Sequence, residues 1–258
     1  MVEHPSYFSR TSPLFRVAYC HFFHDLTLLQ EARPGALLAL LATTGAAGGC
    51  AALADVSLGS LPAGVDTITR AGLLLRWAAG GFKFGSSMFI LDGVYRLPLL
   101  CFGKTVPSAL QNPFASTTVR EFWGRRWNQV IGGMLRDGIF MPCRKRGYRN
   151  VGVALTFLGS GVLHVVPMLL SGQPRDVCVT VFAFFALQIV VLAVERRLGL
   201  SGVAWVWLAL CSGAPLFVEP FLRCFEEKAA IGGGGVDHAP TLTQTLLFFY
   251  GARDGLAH

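Results

Sequence analysis

Five stretches of this chain are each about twenty residues long and largely apolar: residues 36–54, 82–102, 151–171, 177–194 and 203–222. A helix rising 1.5 Å per residue needs roughly 20 apolar residues to cross a bilayer's hydrocarbon core. In lipid only a helix or a closed barrel satisfies its own backbone hydrogen bonds, and the alternation of a barrel strand is missing from these stretches. The sequence therefore predicts an all-α, polytopic transmembrane helical bundle of about five spans, with interfacial helices between them. A hydrophobic share of 53% against 14% charged residues sets the chain apart from ordinary soluble domains.

The stretches differ in character. Residues 36–54 are rich in Gly, Ala and Thr, the composition that lets helices pack backbone to backbone. The second stretch carries Lys83 at one end and Asp92 and Arg96 inside it, four apart and on one helical face. Such a pair is either self-neutralising and structural or functional. Pro215 and Pro220 predict a kink in the last stretch. Before the first stretch lies a polar and aromatic segment containing HFFHD at residues 21–25, read as interfacial. The histidine boxes of di-iron membrane enzymes need several such clusters, and this chain has six histidines in all. The first thirty or so residues lack the apolar core of a signal peptide, which predicts a cytosolic amino end. Beyond the last stretch, residues 229–258 read as a flexible tail with a glycine linker at 232–235 and a short apolar piece at 246–250 that lies on the membrane. Residues 1–258 read as a single membrane-embedded domain.

The net charge of +7 is concentrated, with eight Lys or Arg against Glu121 and Asp137 between residues 120 and 149. This cluster marks the cytosolic side and, propagated through the spans, places the carboxyl end in the lumen. With no soluble module to carry it, the charge favours anionic headgroups or a phosphorylated cosubstrate over nucleic acid. The seven cysteines are scattered, without a CxxC pair, and suggest neither a zinc site nor a disulfide framework.

Two places carry chemistry-bearing side chains. Thr118 and Glu121 form a T-x-x-E capping box, predicting a helix start. On a regular helix Val119, Trp123, Trp127, Val130, Ile131 and Met134 make one apolar stripe. Glu121, Arg125 and Asn128 fall opposite, and Arg120 and Arg126 flank the stripe. The pattern fits an interfacial helix with a solvated face and equally a helix that presents Asn128. The second place is His164, a lone histidine in the third stretch. Gly161 and Ser160 leave one side of it open, and Pro167 deprives the Leu163 carbonyl of its helical donor. Desolvation in an apolar span favours the neutral imidazole, the form that accepts a proton. A helix-bridging histidine is the alternative. GSG at residues 159–161 lacks the G-x-S-x-G spacing of a hydrolase elbow.

Taken together, NPF at 112–114, REFWGRRWN at 120–128 and LTFLGSGVLH at 155–164 resemble the wax synthase branch of the membrane-bound O-acyltransferase superfamily. The resemblance continues through FALQIVVLAVE, ending at Glu195, and GAPLFVEPFLR at 213–223, so it covers residues 112–223. It implies an acyl-CoA-dependent enzyme of the endoplasmic reticulum that moves a fatty acyl group onto a long-chain alcohol or other lipid hydroxyl. It further implies His164 as general base and Asn128 as the residue that orients the acceptor or stabilises the oxyanion. Arg120, Arg125 and Arg126, with Arg144, Lys145 and Arg146, would meet the CoA phosphates, and no metal or redox cofactor is implied. Val165 stands where relatives often carry an acidic residue. A sterol or diacylglycerol acceptor, or a non-enzymatic lipid scaffold or transporter, is the competing expectation.

Overall fold

A computed structural model describes residues 30–60 and 70–231. The segments read as HFFHD, the glycine linker and the apolar carboxyl-terminal piece lie outside the described residues. In chain order the elements are β1 (Gln30–Glu31), α1 (Ala36–Gly59), α2 (Arg70–Cys101), β2 (Lys104–Thr105), α3 (Val119–Glu121), α4 (Gln129–Leu135), α5 (Met141–Lys145), α6 (Arg149–Leu170), α7 (Arg175–Leu198), α8 (Val203–Ser212) and α9 (Ala214–Ile231). A 3₁₀ turn covers Pro113–Ala115, and two π turns, Phe122–Arg126 and Arg136–Phe140, join α3, α4 and α5. The strands form one antiparallel two-residue pair, Gln30 opposite Thr105 and Glu31 opposite Lys104. Every other regular element among the described residues is helical, as the sequence predicts.

Three helices are long and apolar enough to cross a membrane, at Ala36–Leu58, Arg149–Leu170 and Arg175–Leu198. A fourth is reached if Val203–Ser212 and Ala214–Leu222, bent by 57°, count as one broken span. The chain is an integral membrane protein. The expected stretch at residues 82–102 is not among these candidate spans; up to Cys101 it belongs to the 32-residue α2. That helix has the length to span, but Arg76, Lys83, Asp92 and Arg96 lie along it, and its charges are neutralised inside the protein. Lys83 pairs with Asp55 at 2.5 Å, and Arg96 with Asp92 at 3.2 Å. Arg76 grips Glu219 through Nε at 2.9 Å, with Trp77 Nε1 donating to the same carboxylate at 3.1 Å. Away from water a charge is tolerated only when paired this way.

The chain forms two compact units. The first comprises the described residues of Met1–Thr44 with Leu91–Ser160 and Gln188–Ala209, and the second Gly45–Ile90, Gly161–Leu187 and the described part of Leu210–His258. The core of the first gathers Val119, Leu192 and Ala209, with Trp123, Val153, Phe157, Val191 and Trp205 packed against them. Close backbone approach occurs there at Gly93, where a Cβ would run into Thr44. Gly45, Gly48 and Gly49 meet nothing within 4 Å, so of the small residues in α1 these three make no close approach, while Thr44 does and Ala54 is buried.

The second unit is built around phenylalanines. Phe217 lies 5.1 Å from Phe84, 4.8 Å from Phe184 and 4.8 Å from Phe221, centroid to centroid. The predicted proline kink is a break at Gly213, two residues before Pro215. Pro215 lacks an N–H and its ring clashes with a preceding helical turn, so the helix ends ahead of it. Gly213 fits because a Cβ there would sit 2.7 Å from the Phe184 ring.

Candidate functional site

The helix predicted from Thr118 begins there, with the Thr118 hydroxyl accepting from Glu121 N at 3.0 Å. The reciprocal half of the capping box is shifted by one residue. Glu121 accepts from the Thr117 hydroxyl at 3.1 Å and from the Thr117 N–H at 2.8 Å. That backbone N–H, followed by the Arg126 guanidinium, holds the Glu121 carboxyl below the usual carboxylate range.

Beyond Glu121 the regular wheel fails. The chain turns through the π segment Phe122–Arg126, extends at Trp127 (φ −96°, ψ 130°) and enters the left-handed region at Asn128 (φ 39°, ψ 64°). Asn128 is therefore the N-cap of α4 and not a position on the polar face of one long helix. Asparagine suits the place twice over, since it tolerates left-handed backbone better than most residues and its short amide caps well. Its Oδ1 accepts from Ile131 N at 3.3 Å. Its amide nitrogen makes no hydrogen bond to any described residue, and the side chain is half-buried. One end of the amide is thus committed to structure, and two N–H donors at the other are left available.

The tryptophans of the predicted stripe face inward. Trp127 stacks on Phe122 at 5.3 Å and 15°, and Trp123 meets Phe157 edge-on at 6.2 Å. Arg120 and Arg125 are exposed. Arg126 is engaged throughout its guanidinium, with Nε and Nη2 on Glu121 Oε1 at 2.8 Å and Nη1 on the Gln111 and Asn112 carbonyls at 3.1 Å. It braces the turn. Arg144, Lys145 and Arg146 are exposed around the C-terminus of α5.

Asn128, Arg120, Arg125 and Arg126 belong to the first unit and His164 to the second. His164 sits in α6, half-buried, with its ring 4.6 Å from Phe185 and 5.9 Å from Phe217. The side of α6 expected to be open at Gly161 is filled, because a Cβ on Gly161 would meet the Phe182 ring at 2.8 Å. The missing side chain admits two phenylalanines, and the imidazole stands against an aromatic wall.

Two further residues organise this region and were not singled out from sequence. Glu195, 6% exposed, accepts from the N–H groups of Val119 at 2.5 Å and Arg120 at 3.2 Å, and from Trp205 Nε1 at 3.0 Å. It satisfies the opening N–H groups of α3, which no helical carbonyl can reach. Gln188 is wholly buried and accepts from Trp123 Nε1 at 3.1 Å. An indole N–H only donates, so the Gln188 oxygen must face it, and the Gln188 amide nitrogen has no partner among the described residues. A glutamine in the middle of an apolar run was the available signal. No three His, Cys, Asp or Glu side chains come together as a metal site among the described residues.

Residues 106–187 match the sequence model of the membrane bound O-acyl transferase family, a span that includes both Asn128 and His164. Among curated proteins the chain is similar to probable long-chain-alcohol O-fatty-acyltransferase 3 of Arabidopsis thaliana, 32% identical over 79 residues, covering 28% of this chain and 23% of that one. It is 34% identical over 73 residues to probable long-chain-alcohol O-fatty-acyltransferase 9 of the same plant, covering 25% and 21%. A longer alignment, 26% identical over 158 residues, covers 52% of this chain and 46% of the plant acyl-CoA–sterol O-acyltransferase 1. The chain spans less than half the length of these relatives. The resemblance to the wax synthase branch seen in the motifs is matched by the names of the two long-chain-alcohol acyltransferases.

Proposed function

We propose that this chain carries the reacting residues of an acyl-CoA-dependent O-acyltransferase of the endoplasmic reticulum that esterifies a long-chain alcohol. The observation that carries this reading is the family match across Asn128 and His164. In the proposed reaction His164 takes the proton from the acceptor hydroxyl, whose oxygen attacks the thioester carbonyl of acyl-CoA. The tetrahedral oxyanion then collapses, the C–S bond breaks, and the CoA thiolate recovers the proton. Asn128 contributes its uncommitted N–H donors, which orient the acceptor or stabilise the oxyanion. The exposed guanidinium groups of Arg120 and Arg125, with Arg144, Lys145 and Arg146, supply the charge that CoA phosphates need, while Arg126 keeps the turn in shape.

A sterol acceptor is the second reading, raised by the alignment over 52% of this chain with a protein named as a sterol acyltransferase; a probable long-chain-alcohol O-fatty-acyltransferase aligns over 55% at the same 26% identity, so the alcohol stands first.

Purified protein in detergent, given labelled acyl-CoA and a panel of fatty alcohols, sterols and diacylglycerol, is expected to form labelled wax ester. The His164→Ala variant is expected to lose about 10²- to 10⁴-fold in rate while remaining folded. Ester formed only on sterol selects the second reading. Ester from no acceptor, or full turnover by folded His164→Ala, refutes the proposed chemistry and leaves a lipid-binding scaffold.

A further inference from the structure

The carboxylate of Asp92 was expected to serve Arg96, four residues along the same helix. It does, but two of its three hydrogen bonds go elsewhere. Asp92 is 7% exposed, and its Oδ2 accepts from Arg96 Nη1 at 3.2 Å and from Ser108 Oγ at 2.8 Å, while its Oδ1 accepts from the Ala109 N–H at 2.9 Å. Ser108 Oγ in turn accepts from the Leu110 N–H at 3.1 Å. One buried carboxylate thereby fixes the backbone of residues 108–110.

That loop is the partner of the break at Asn128. Leaving the helix at Trp127 and re-entering it at Gln129 frees two backbone groups, the carbonyl of Arg126 and the N–H of Gln129. The loop takes both, with Gln111 N donating to Arg126 O at 2.8 Å and Ala109 O accepting from Gln129 N at 2.8 Å. These bonds lie on either side of Asn128. They hold open a turn in which the only non-glycine residues with left-handed backbone among those described are Asn112 and Asn128. The Ala109 peptide links the two systems, since its N–H reaches Asp92 and its carbonyl reaches Gln129.

We propose that Asp92 is a positioning residue for Asn128, acting through residues 108–111. Without the carboxylate the loop loses the anchor for Ala109 and Ser108, the clamp across the break loosens, and the Asn128 amide leaves its place. The inference rests on the reading that Asn128 takes part in acyl transfer. A misplacement of about 1 Å costs on the order of 10²-fold in rate.

The test compares Asp92→Asn, Asn128→Ala and the double variant in detergent. Asp92→Asn keeps the shape and one accepting oxygen. It is expected to lower kcat about 10²-fold with both Michaelis constants within about twofold of wild type. The double variant is expected to be no slower than Asn128→Ala alone. In parallel, hydrogen exchange of peptides covering residues 126–132 is expected to speed up about tenfold or more in Asp92→Asn, with residues 156–163 of α6 unchanged. Multiplicative losses in the double variant, unchanged exchange at 126–132, or faster exchange throughout α6 each overturn the proposal. If Asp92→Asn does not fold, Ser108→Ala, which keeps the Asp92–Arg96 pair, is read by the same criteria. If the wild type forms no ester, the functional reading fails and the exchange comparison alone decides whether Asp92 holds the Asn128 turn.

Discussion

Replacing Glu195 by alanine should destabilise the segment that carries the arginines and Asn128, by an amount the geometry sets. The carboxylate receives three N–H groups. Val119 is fully buried, so its N–H at 2.5 Å has nowhere else to go. The Trp205 indole at 3.0 Å is half-buried, and Arg120, whose N–H lies at 3.2 Å, is exposed enough for water to replace the carboxylate. A stranded buried donor costs about 1–3 kcal/mol, so two of them, one only partly shielded, sum to about 3 kcal/mol. For a chain of this size that is roughly 6–12 °C in Tm. Trp205→Phe removes one donor and leaves the acceptor with two others, so it should cost about 1 kcal/mol. Glu195→Gln, which retains one accepting oxygen, should fall between them. Thermal melts of the three variants in one detergent provide the ordering. A Glu195→Ala protein melting within about 2 °C of wild type, or a Trp205→Phe protein melting lower than Glu195→Ala, refutes the idea that this carboxylate caps α3.

Three other outcomes follow from the same geometry. Gln188→Leu alone should cost about 1–3 kcal/mol because it removes the acceptor of the Trp123 indole N–H, whereas Trp123→Phe with Gln188→Leu removes donor and acceptor together and should cost less than Gln188→Leu alone. Arg125→Gln should raise the Michaelis constant for acyl-CoA without lowering Tm, while Arg126→Gln, which unties Glu121 and two carbonyls, should lower Tm as well; equal melts for the two would contradict the bracing role. The Glu121 carboxyl is held below its unfolded value, so its contribution is fully present above about pH 4.3 and is lost as pH falls through the lower folded value. The difference in Tm between wild type and Glu121→Gln should therefore be flat at neutral pH and shrink in acid, and a difference that grows on acidification would reverse the sign of the argument.

The membrane class, the helix start at Thr118 and the pairing of Asp92 with Arg96 were legible in sequence because each depends on residues a few positions apart. Spacing of apolar residues decides the first, a side chain three residues from a backbone N–H the second, and one helical turn the third. The position of Asn128 was not legible, because a helical wheel assumes 100° per residue, and the π turn and the extended Trp127 abandon that phase before Asn128 is reached. A break of this kind is stable only when something receives the backbone groups it frees. Here the recipients are Ala109 and Gln111 for the break, and Glu195 for the start of α3, some 75 residues away. Nothing within a turn of Asn128 announces them. His164 shows the same asymmetry, since Gly161 correctly signalled a close approach at that face, but only the fold could say that phenylalanines from α7 take the space. Local sequence thus states where a helix can be interrupted or approached, and the remote donor, acceptor or ring that completes the arrangement decides whether it is. For this chain that puts the determinants of the Asn128 turn in Asp92 and the 108–111 loop, outside the motif that makes Asn128 recognisable.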